Sequence, residues 1–155
     1  MCSSDLFNVL GPLTNPAGVK RQVLGVYDAA LCEPLAEVLT RLGSERALVI
    51  HSDDGLDEIS IATPTRGFEL RAGDISPIEI DPAALGLAHT SLDGLKVDTA
   101  AGSANLIRGA LAGDDDAVSI KARAIIALNA GAGIYVSGVV DSLASGVAEI
   151  GRAHV

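Results

Sequence analysis

An acidic stretch, HSDDGLDE, ends an apolar run and is the first part of the chain whose residue types could do chemistry. It places the carboxylates of Asp53, Asp54, Asp57 and Glu58 in one short loop. Their spacing is not that of an EF-hand, and a cation held by only one or two carboxylates and completed by substrate oxygens is Mg²⁺-like. An Asp-rich turn is also simply soluble, so the residues alone leave a metal site and a solvated turn equally open.

A second candidate is the stretch FNVLGPLTNPAG, residues 7–18, which contains two prolines, two asparagines and two glycines. Gly11-Pro12 and Asn15-Pro16 predict a rigid loop that offers backbone polar groups, as the pocket of a small planar ligand requires. The same residue types punctuate ordinary connections, so by themselves they favour a plain loop.

His51 could act as a general base, but a single histidine beside a strand is more often a hydrogen-bonded structural residue. The sequence contains no GxxxxGK phosphate loop, no GxGxxG and no GxSxG elbow. Ser-His-Asp catalysis therefore has nothing specific to rest on, and we assign no catalytic residue.

The elements before the acidic loop predict a strand, a helix and a strand. RQVLGVYD and RALVIHS are short apolar runs typical of buried strands, and leucines recur at helical spacing between them. Pro34 fits the first turn of that helix and Gly43 its end. Strands that are apolar on both faces indicate a parallel pair between helices, with the acidic loop at a carboxyl end, where α/β sheets bind ligands.

The second half of the chain predicts a meander followed by helices. EISIA, RGFEL and SPIEID are interpreted as three short strands. Helices are predicted for SANLIRGALAG, for residues 116–137, with Asp114 to Asp116 as its cap, and for SLASGVAEI. Residues 130–133 form a patch of small residues where another backbone could approach. The predicted fold class is α/β, a partial and mostly parallel sheet flanked by helices.

Composition excludes several classes of function. The chain has 155 residues, enough for one domain, and a net charge of −9, which disfavours nucleic acid as a partner. It shows neither a signal peptide nor a run of eighteen apolar residues, so we predict no membrane partner and a cytoplasmic location.

The two ends fit no predicted element. The codons for CSSDL and for EIGRA can be read from one DNA sequence in opposite senses, and that sequence looks like a common sequencing-library adaptor. We therefore expect residues 1–6 and 150–155 to be non-native tails and residues 7–149 to be native.

Four stretches in order, FNVLGPLTNPAG, RQVLGVYD, HSDDGLDE and LNAGAGIYVSG, resemble the C-terminal part of the anthranilate phosphoribosyltransferase family. The resemblance covers nearly all of residues 7–149. It implies the large α/β domain of the nucleoside phosphorylase and phosphoribosyltransferase catalytic fold. It also implies transfer of the phosphoribosyl group from phosphoribosyl pyrophosphate to anthranilate, in tryptophan biosynthesis.

The resemblance assigns roles to particular residues. The acidic pair of the family falls on Asp57 and Glu58, which would bind the cofactor Mg²⁺ opposite the leaving pyrophosphate. Gly11, Pro12 and Asn15 in the first stretch are then the substrate-binding residues. The family usually has Gly where Ser52 stands here.

The resemblance also implies missing parts. The Gly-rich phosphoribosyl-pyrophosphate loop and the helical domain that forms the homodimer lie upstream in the family. The Arg that contacts the anthranilate carboxylate belongs to an Arg-Thr-(Ile/Val) sequence, for which this chain has residues 4–6, Ser-Asp-Leu. We therefore expect a fragment that is inactive alone. The alternatives are a pyrimidine-nucleoside phosphorylase-like transferase and a non-catalytic metal- or ligand-binding fragment.

Overall fold

The computed structural model describes residues 10–152 as a four-stranded sheet with helices on both faces. In chain order the elements are β1 (Arg21–Gly25), a 3-10 helix (Ala29–Leu31), α1 (Cys32–Arg41), β2 (Arg46–Ser52), β3 (Thr65–Arg71), β4 (Asp74–Ile80), α2 (Ala100–Ala112), α3 (Ala117–Ser137) and α4 (Leu143–Arg152). These bounds confirm the predicted strand, helix and strand before the acidic loop, with Pro34 in the first turn of α1.

The sheet is mixed, so the prediction of a mostly parallel sheet was wrong. The strand order is β1-β2-β3-β4, and β1 pairs with β2 in parallel, whereas β2 with β3 and β3 with β4 are antiparallel. The reason lies in the connections. The segment between β2 and β3 contains no helix to carry the chain back for a parallel pairing, and two residues, Ala72 and Gly73, join β3 to β4.

The stretch EISIA, residues 58–62, is a buried loop and not the predicted strand. Ile59 and Ile61 are fully buried, which accounts for the alternating pattern in the sequence. Side chains satisfy the backbone here in place of a strand: the N–H of Ser60 donates to Ser52 Oγ and Thr65 Oγ1. Periodicity alone does not reveal such a replacement.

The strand β2 is buried on both faces and separates two apolar clusters. Leu48 and Ile50 face α3 and pack with its residues Leu128 and Ala132. The alternate residues of β2 face α1 in a second cluster with Leu24, Leu35, Leu39 and Leu70. The sheet is therefore the middle of three layers, and β2 fixes the position of the loop that follows it.

The helix α3 lies across one face of the sheet and packs against β1, β2, α2 and α4. It begins at the predicted cap, because the Asp116 carboxylate accepts the N–H groups of Val118 and Ser119, and it ends at Gly138 in the left-handed region. By length and composition it is long and apolar enough to cross a membrane, although the core helix of a soluble protein meets the same test. Residues 150–152 belong to α4, and the rest of the predicted tails lies outside the described residues.

Candidate functional site

The acidic loop leaves the carboxyl end of β2 and forms a tight turn before it enters the core. The N–H of Gly55 donates to the carbonyl of Ser52, and the N–H of Ser52 donates to the carbonyl of Leu56. Gly55 has a φ of 90°, which favours glycine at the tip of this turn. The turn places all four acidic residues at the surface, at the end of the strand where a ligand was predicted.

The structure divides the four acidic residues into two pairs, of which the first has partners. Asp53 forms an ion pair with Arg66 of β3, which also binds Glu79 at 3.0 Å. The hydrogen bond to Asp53, and then that to Glu79, raises the pKa of the Arg66 guanidinium. Asp54 accepts a hydrogen bond of 2.6 Å from Ser60 Oγ. These two carboxylates hold the loop to the rest of the molecule.

The second pair, Asp57 and Glu58, is exposed, and neither carboxylate accepts a hydrogen bond or forms an ion pair within residues 10–152. Adjacent unpaired carboxylates in an ordered loop can bind a cation or the donor groups of a ligand. Two carboxylates with open coordination suit Mg²⁺, which keeps several waters and binds substrate phosphates. They would leave most of the coordination sphere to water or substrate oxygens, since residues 10–152 contain no group of three or more metal-ligating side chains.

The backbone of residues 57–59, which carries this pair, is restrained by three contacts. Ser52 Oγ donates to the carbonyl of Glu58 at 2.6 Å. The amide of Asn129, on α3, bonds both the N–H and the carbonyl of Ile59. At Gly25 a Cβ would overlap the carbonyl of Asp57, so the loop crosses directly over the end of β1.

Sequence reasoning did not identify Ser52, Gly25 and Asn129 as part of this site. The signal for Asn129 was present, because it is an amide in the otherwise apolar stretch LNAGAGIYVSG of a core helix, where a polar side chain requires a partner. No pattern in the sequence indicates that Gly25 lies against the backbone of Asp57. That contact depends on the register of the parallel strands.

His51 is half-buried, and its Nδ1 lies 2.7 Å from the carbonyl oxygen of Val26. A carbonyl only accepts, so Nδ1 carries the proton and donates. This arrangement fits the structural role that the sequence favoured over a general base.

The first candidate loop differs from its prediction, because residues 10–13 are helical. Thr14 continues this turn by donating to the carbonyl of Leu10, and Asn15 Oδ1 accepts the N–H of Ala17. Pro12 and Asn15 line a small pocket of about 140 Å³ against α1, whereas Gly11 does not line it. That pocket contains neither Asp57 nor Glu58, so it does not join the two groups of predicted site residues. Residues 7–9 lie outside the described part of the chain.

Comparisons with known proteins agree with the resemblance found in the four stretches. The model of the glycosyl transferase family, a/b domain, matches residues 4–154. The chain is 57% identical to the anthranilate phosphoribosyltransferase of Teredinibacter turnerae over 143 residues, which is 92% of this chain and 42% of that protein. It is 50% identical to the Acinetobacter baumannii enzyme of the same name, over 93% of this chain and 41% of that protein. The chain thus spans less than half the length of these relatives.

Solved structures show the same similarity in three dimensions. The anthranilate phosphoribosyltransferase of Thermus thermophilus matches 95% of this chain with a TM-score of 0.80 and 37% identity, and 42% of that protein is covered. The Saccharomyces cerevisiae enzyme, solved in complex with PRPP and Mg, matches 94% of this chain with a TM-score of 0.77 and 24% identity, over 41% of its own length. At this lower identity the second match shows the fold alone.

Proposed function

This chain belongs to the glycosyl transferase family, a/b domain, and on that premise we propose that it forms the cation-binding part of an anthranilate phosphoribosyltransferase. The reaction is transfer of the phosphoribosyl group from phosphoribosyl pyrophosphate to the amine of anthranilate. Support comes from relatives of that name at 57% and 50% identity and from the agreement in fold.

The observation that carries the proposal is the exposed pair Asp57 and Glu58 at the end of β2. Asp53 is neutralised by Arg66, and Asp54 accepts a hydrogen bond from Ser60. Of the four carboxylates, those of Asp57 and Glu58 therefore remain available. Mg²⁺ bound there would neutralise negative charge that develops on the departing pyrophosphate. The chain itself holds the two carboxylates at one end of the sheet and keeps their backbone fixed before any ligand arrives.

We also propose Gly11, Pro12 and Asn15 as the substrate-binding residues on the anthranilate side. The support is the hydrogen-bonded turn at residues 10–18, in which Asn15 Oδ1 accepts the N–H of Ala17. The pocket beside Pro12 and Asn15 is too small for a drug-sized ligand, and only part of a small planar molecule fits against it.

Turnover in a chimera tests the proposal. The 143 matched residues of this chain replace their counterparts in the Teredinibacter turnerae enzyme, and the transfer of phosphoribosyl to anthranilate is followed during a Mg²⁺ titration. We expect an active chimera. Asp57→Asn with Glu58→Gln should lower kcat at least tenfold and raise the Mg²⁺ concentration for half activity, because even the loss of residues that only support metal ligands typically costs about 10–100-fold.

The matched control removes two charges from the same loop without touching the pair. Asp53→Asn with Asp54→Asn changes the net charge equally, yet those carboxylates bond Arg66 and Ser60. We expect this variant to lose some stability and to keep its Mg²⁺ dependence. An unchanged Mg²⁺ titration in the Asp57/Glu58 variant would show that the loop is a solvated turn.

For the 155 residues assayed alone we expect no measurable transfer. They contain no Gly-rich phosphate loop and span less than half of each relative. Turnover of anthranilate and phosphoribosyl pyrophosphate by this chain by itself would contradict that expectation.

A further inference from the structure

The side chain of Asn129, on α3, hydrogen-bonds both backbone groups of Ile59, the residue that directly follows the acidic loop. The N–H of Ile59 donates to Asn129 Oδ1 at 2.9 Å, and Asn129 Nδ2 donates to the carbonyl of Ile59 at 3.0 Å. The second hydrogen of Nδ2 is bonded within the helix, to the carbonyl of Ile125 at 2.9 Å. The orientation of the side-chain amide is therefore fixed by the helix before it contacts the loop.

The contact takes the place of a strand pairing. In an antiparallel ladder a residue exchanges both an N–H and a carbonyl bond with its partner, and the Asn129 amide does the same for Ile59. Ile59 is fully buried, so its backbone groups have no water to bond if the amide is removed. Ile59 directly follows Glu58, and the restraint therefore acts on the peptide that carries the candidate cation ligand.

Fixing this backbone affects the binding of a cation. Two neighbouring carboxylates repel each other, and a free loop would hold them apart and lose conformational entropy when a cation brought them together. A loop ordered in advance avoids that loss. Ser52 and the close approach to Gly25 restrain the same segment from the sheet, and Asn129 connects it by hydrogen bonds to a helix on the face of the sheet.

We propose that Asn129 is a positioning residue for the cation-binding step: it holds the Glu58–Ile59 backbone so that the Asp57 and Glu58 carboxylates are presented together. The proposal rests on the proposed function of that pair. It gives Asn129, in the stretch LNAGAGIYVSG, a role that the sequence did not predict.

The test uses the full 155-residue chain and two readouts that do not depend on transferase activity. Hydrogen exchange of the Ile59 amide reports whether its hydrogen bond to Asn129 is intact. Mn²⁺ is a paramagnetic stand-in for Mg²⁺, and its binding to the two carboxylates is measured by NMR line broadening at residues 57 and 58. In Asn129→Ala we expect at least tenfold faster exchange at Ile59 and about tenfold weaker Mn²⁺ binding. Asn129→Ser, which can bond Ile125 but is too short to span Ile59, should show both effects in a helix that stays folded.

Lys121→Met is the control on the same helix. Lys121 Nζ also donates two hydrogen bonds to a loop, to Ser91 Oγ and to the carbonyl of Asp93, but that loop is remote in sequence from the acidic pair. This variant should leave exchange at Ile59 and Mn²⁺ binding within about twofold of the unmodified chain, because neither bond touches the acidic loop.

The possible failures are distinguishable. Equal Mn²⁺ affinity in the unmodified chain and in a folded Asn129 variant would overturn the positioning role and leave the proposed function intact. Unchanged exchange at Ile59 would overturn it as well. Absence of broadening at residues 57 and 58 in the unmodified chain would overturn the cation assignment itself, and the positioning role with it.

Discussion

At the scale of single residues, the four acids of the loop differ in their surroundings although they lie within one turn. Asp53 faces a guanidinium and Asp54 a hydroxyl, whereas Asp57 and Glu58 face solvent. The sequence could predict that carboxylates follow β2. It could not predict which two are neutralised, because Arg66 comes from β3, and its place opposite His51 depends on the antiparallel register.

The thiol of Cys32 gives a prediction on pH. Burial, and to a lesser extent the charge of Asp28, raises the pKa of this thiol from 9.0 to about 11. Between pH 9 and about pH 11 the thiol is deprotonated in the unfolded chain and protonated in the folded chain. The contribution of the protonated thiol to the free energy of unfolding is therefore full below pH 9 and is lost as pH rises toward 11.

Urea unfolding at about pH 8 and about pH 10, on either side of the ordinary thiol pKa, measures this effect. We expect the free energy of unfolding to fall more steeply with pH in the unmodified chain than in Cys32→Ala, by up to about 1.4 kcal/mol per pH unit. Parallel slopes for the two proteins would mean that the thiol titrates equally in both states.

At the scale of elements, the sequence predicted correctly the helix and strand features that depend on neighbouring residues. It predicted wrongly the element whose structure depends on contacts with distant residues. The Asp116 cap, the Pro34 turn and the hydrophobic run of β2 are local, and the structure confirms each. EISIA has a strand pattern, yet Asn129, 70 residues away from Ile59, satisfies its backbone. The helix at residues 10–13 was missed because Pro and Gly there were interpreted as breakers, whereas Pro12 lies in its first described turn.

The contact of α3 with α4 gives a prediction on two glycines of one helix. A Cβ at Gly131 would lie 2.7 Å from the backbone nitrogen of Val147, whereas a Cβ at Gly133 would meet nothing within 4 Å. The close approach predicted for residues 130–133 is therefore real at Gly131 and absent at Gly133. Gly131→Ala should destabilise the chain by about 1–3 kcal/mol, since it forces the helices apart.

The paired substitution Gly133→Ala should have the opposite sign. It should stabilise the chain by roughly 0.5–1 kcal/mol, because alanine loses less entropy in a helix interior. Thermal and urea unfolding of both variants measure the difference. If the two changes shift stability equally, the helix contact does not depend on Gly131.

At the scale of the whole molecule, one polar cluster joins the sheet to α3. The Tyr135 hydroxyl donates to Glu69 Oε1 at 2.8 Å, and Arg46 bonds the same carboxylate while it stacks at 3.8 Å over the Tyr135 ring. Arg46 is 7% exposed, so Glu69 supplies the counter-charge that allows it to lie between the layers. The sequence shows these residues, but their proximity appears only when the layers are assembled.

Tyr135→Phe isolates one bond of this cluster. It keeps the ring beneath Arg46 and removes the hydroxyl, so we expect a loss of about 1.5–3 kcal/mol in the free energy of unfolding by urea, the range for bonds to charged groups. Tyr27→Phe is the matched control, because that residue is 42% exposed and surface changes usually stay within about 0.5 kcal/mol. Equal effects of the two changes would assign no net stability to the bond.

The contact between Gly25 and the carbonyl of Asp57 also constrains how sequences of this kind diverge. Any side chain at position 25 collides with the loop as it now runs, so a substitution there becomes acceptable only after the loop has lengthened or shifted. A longer loop in turn releases the two carboxylates from their present place. We therefore expect position 25 to stay glycine in any related sequence whose loop keeps this path.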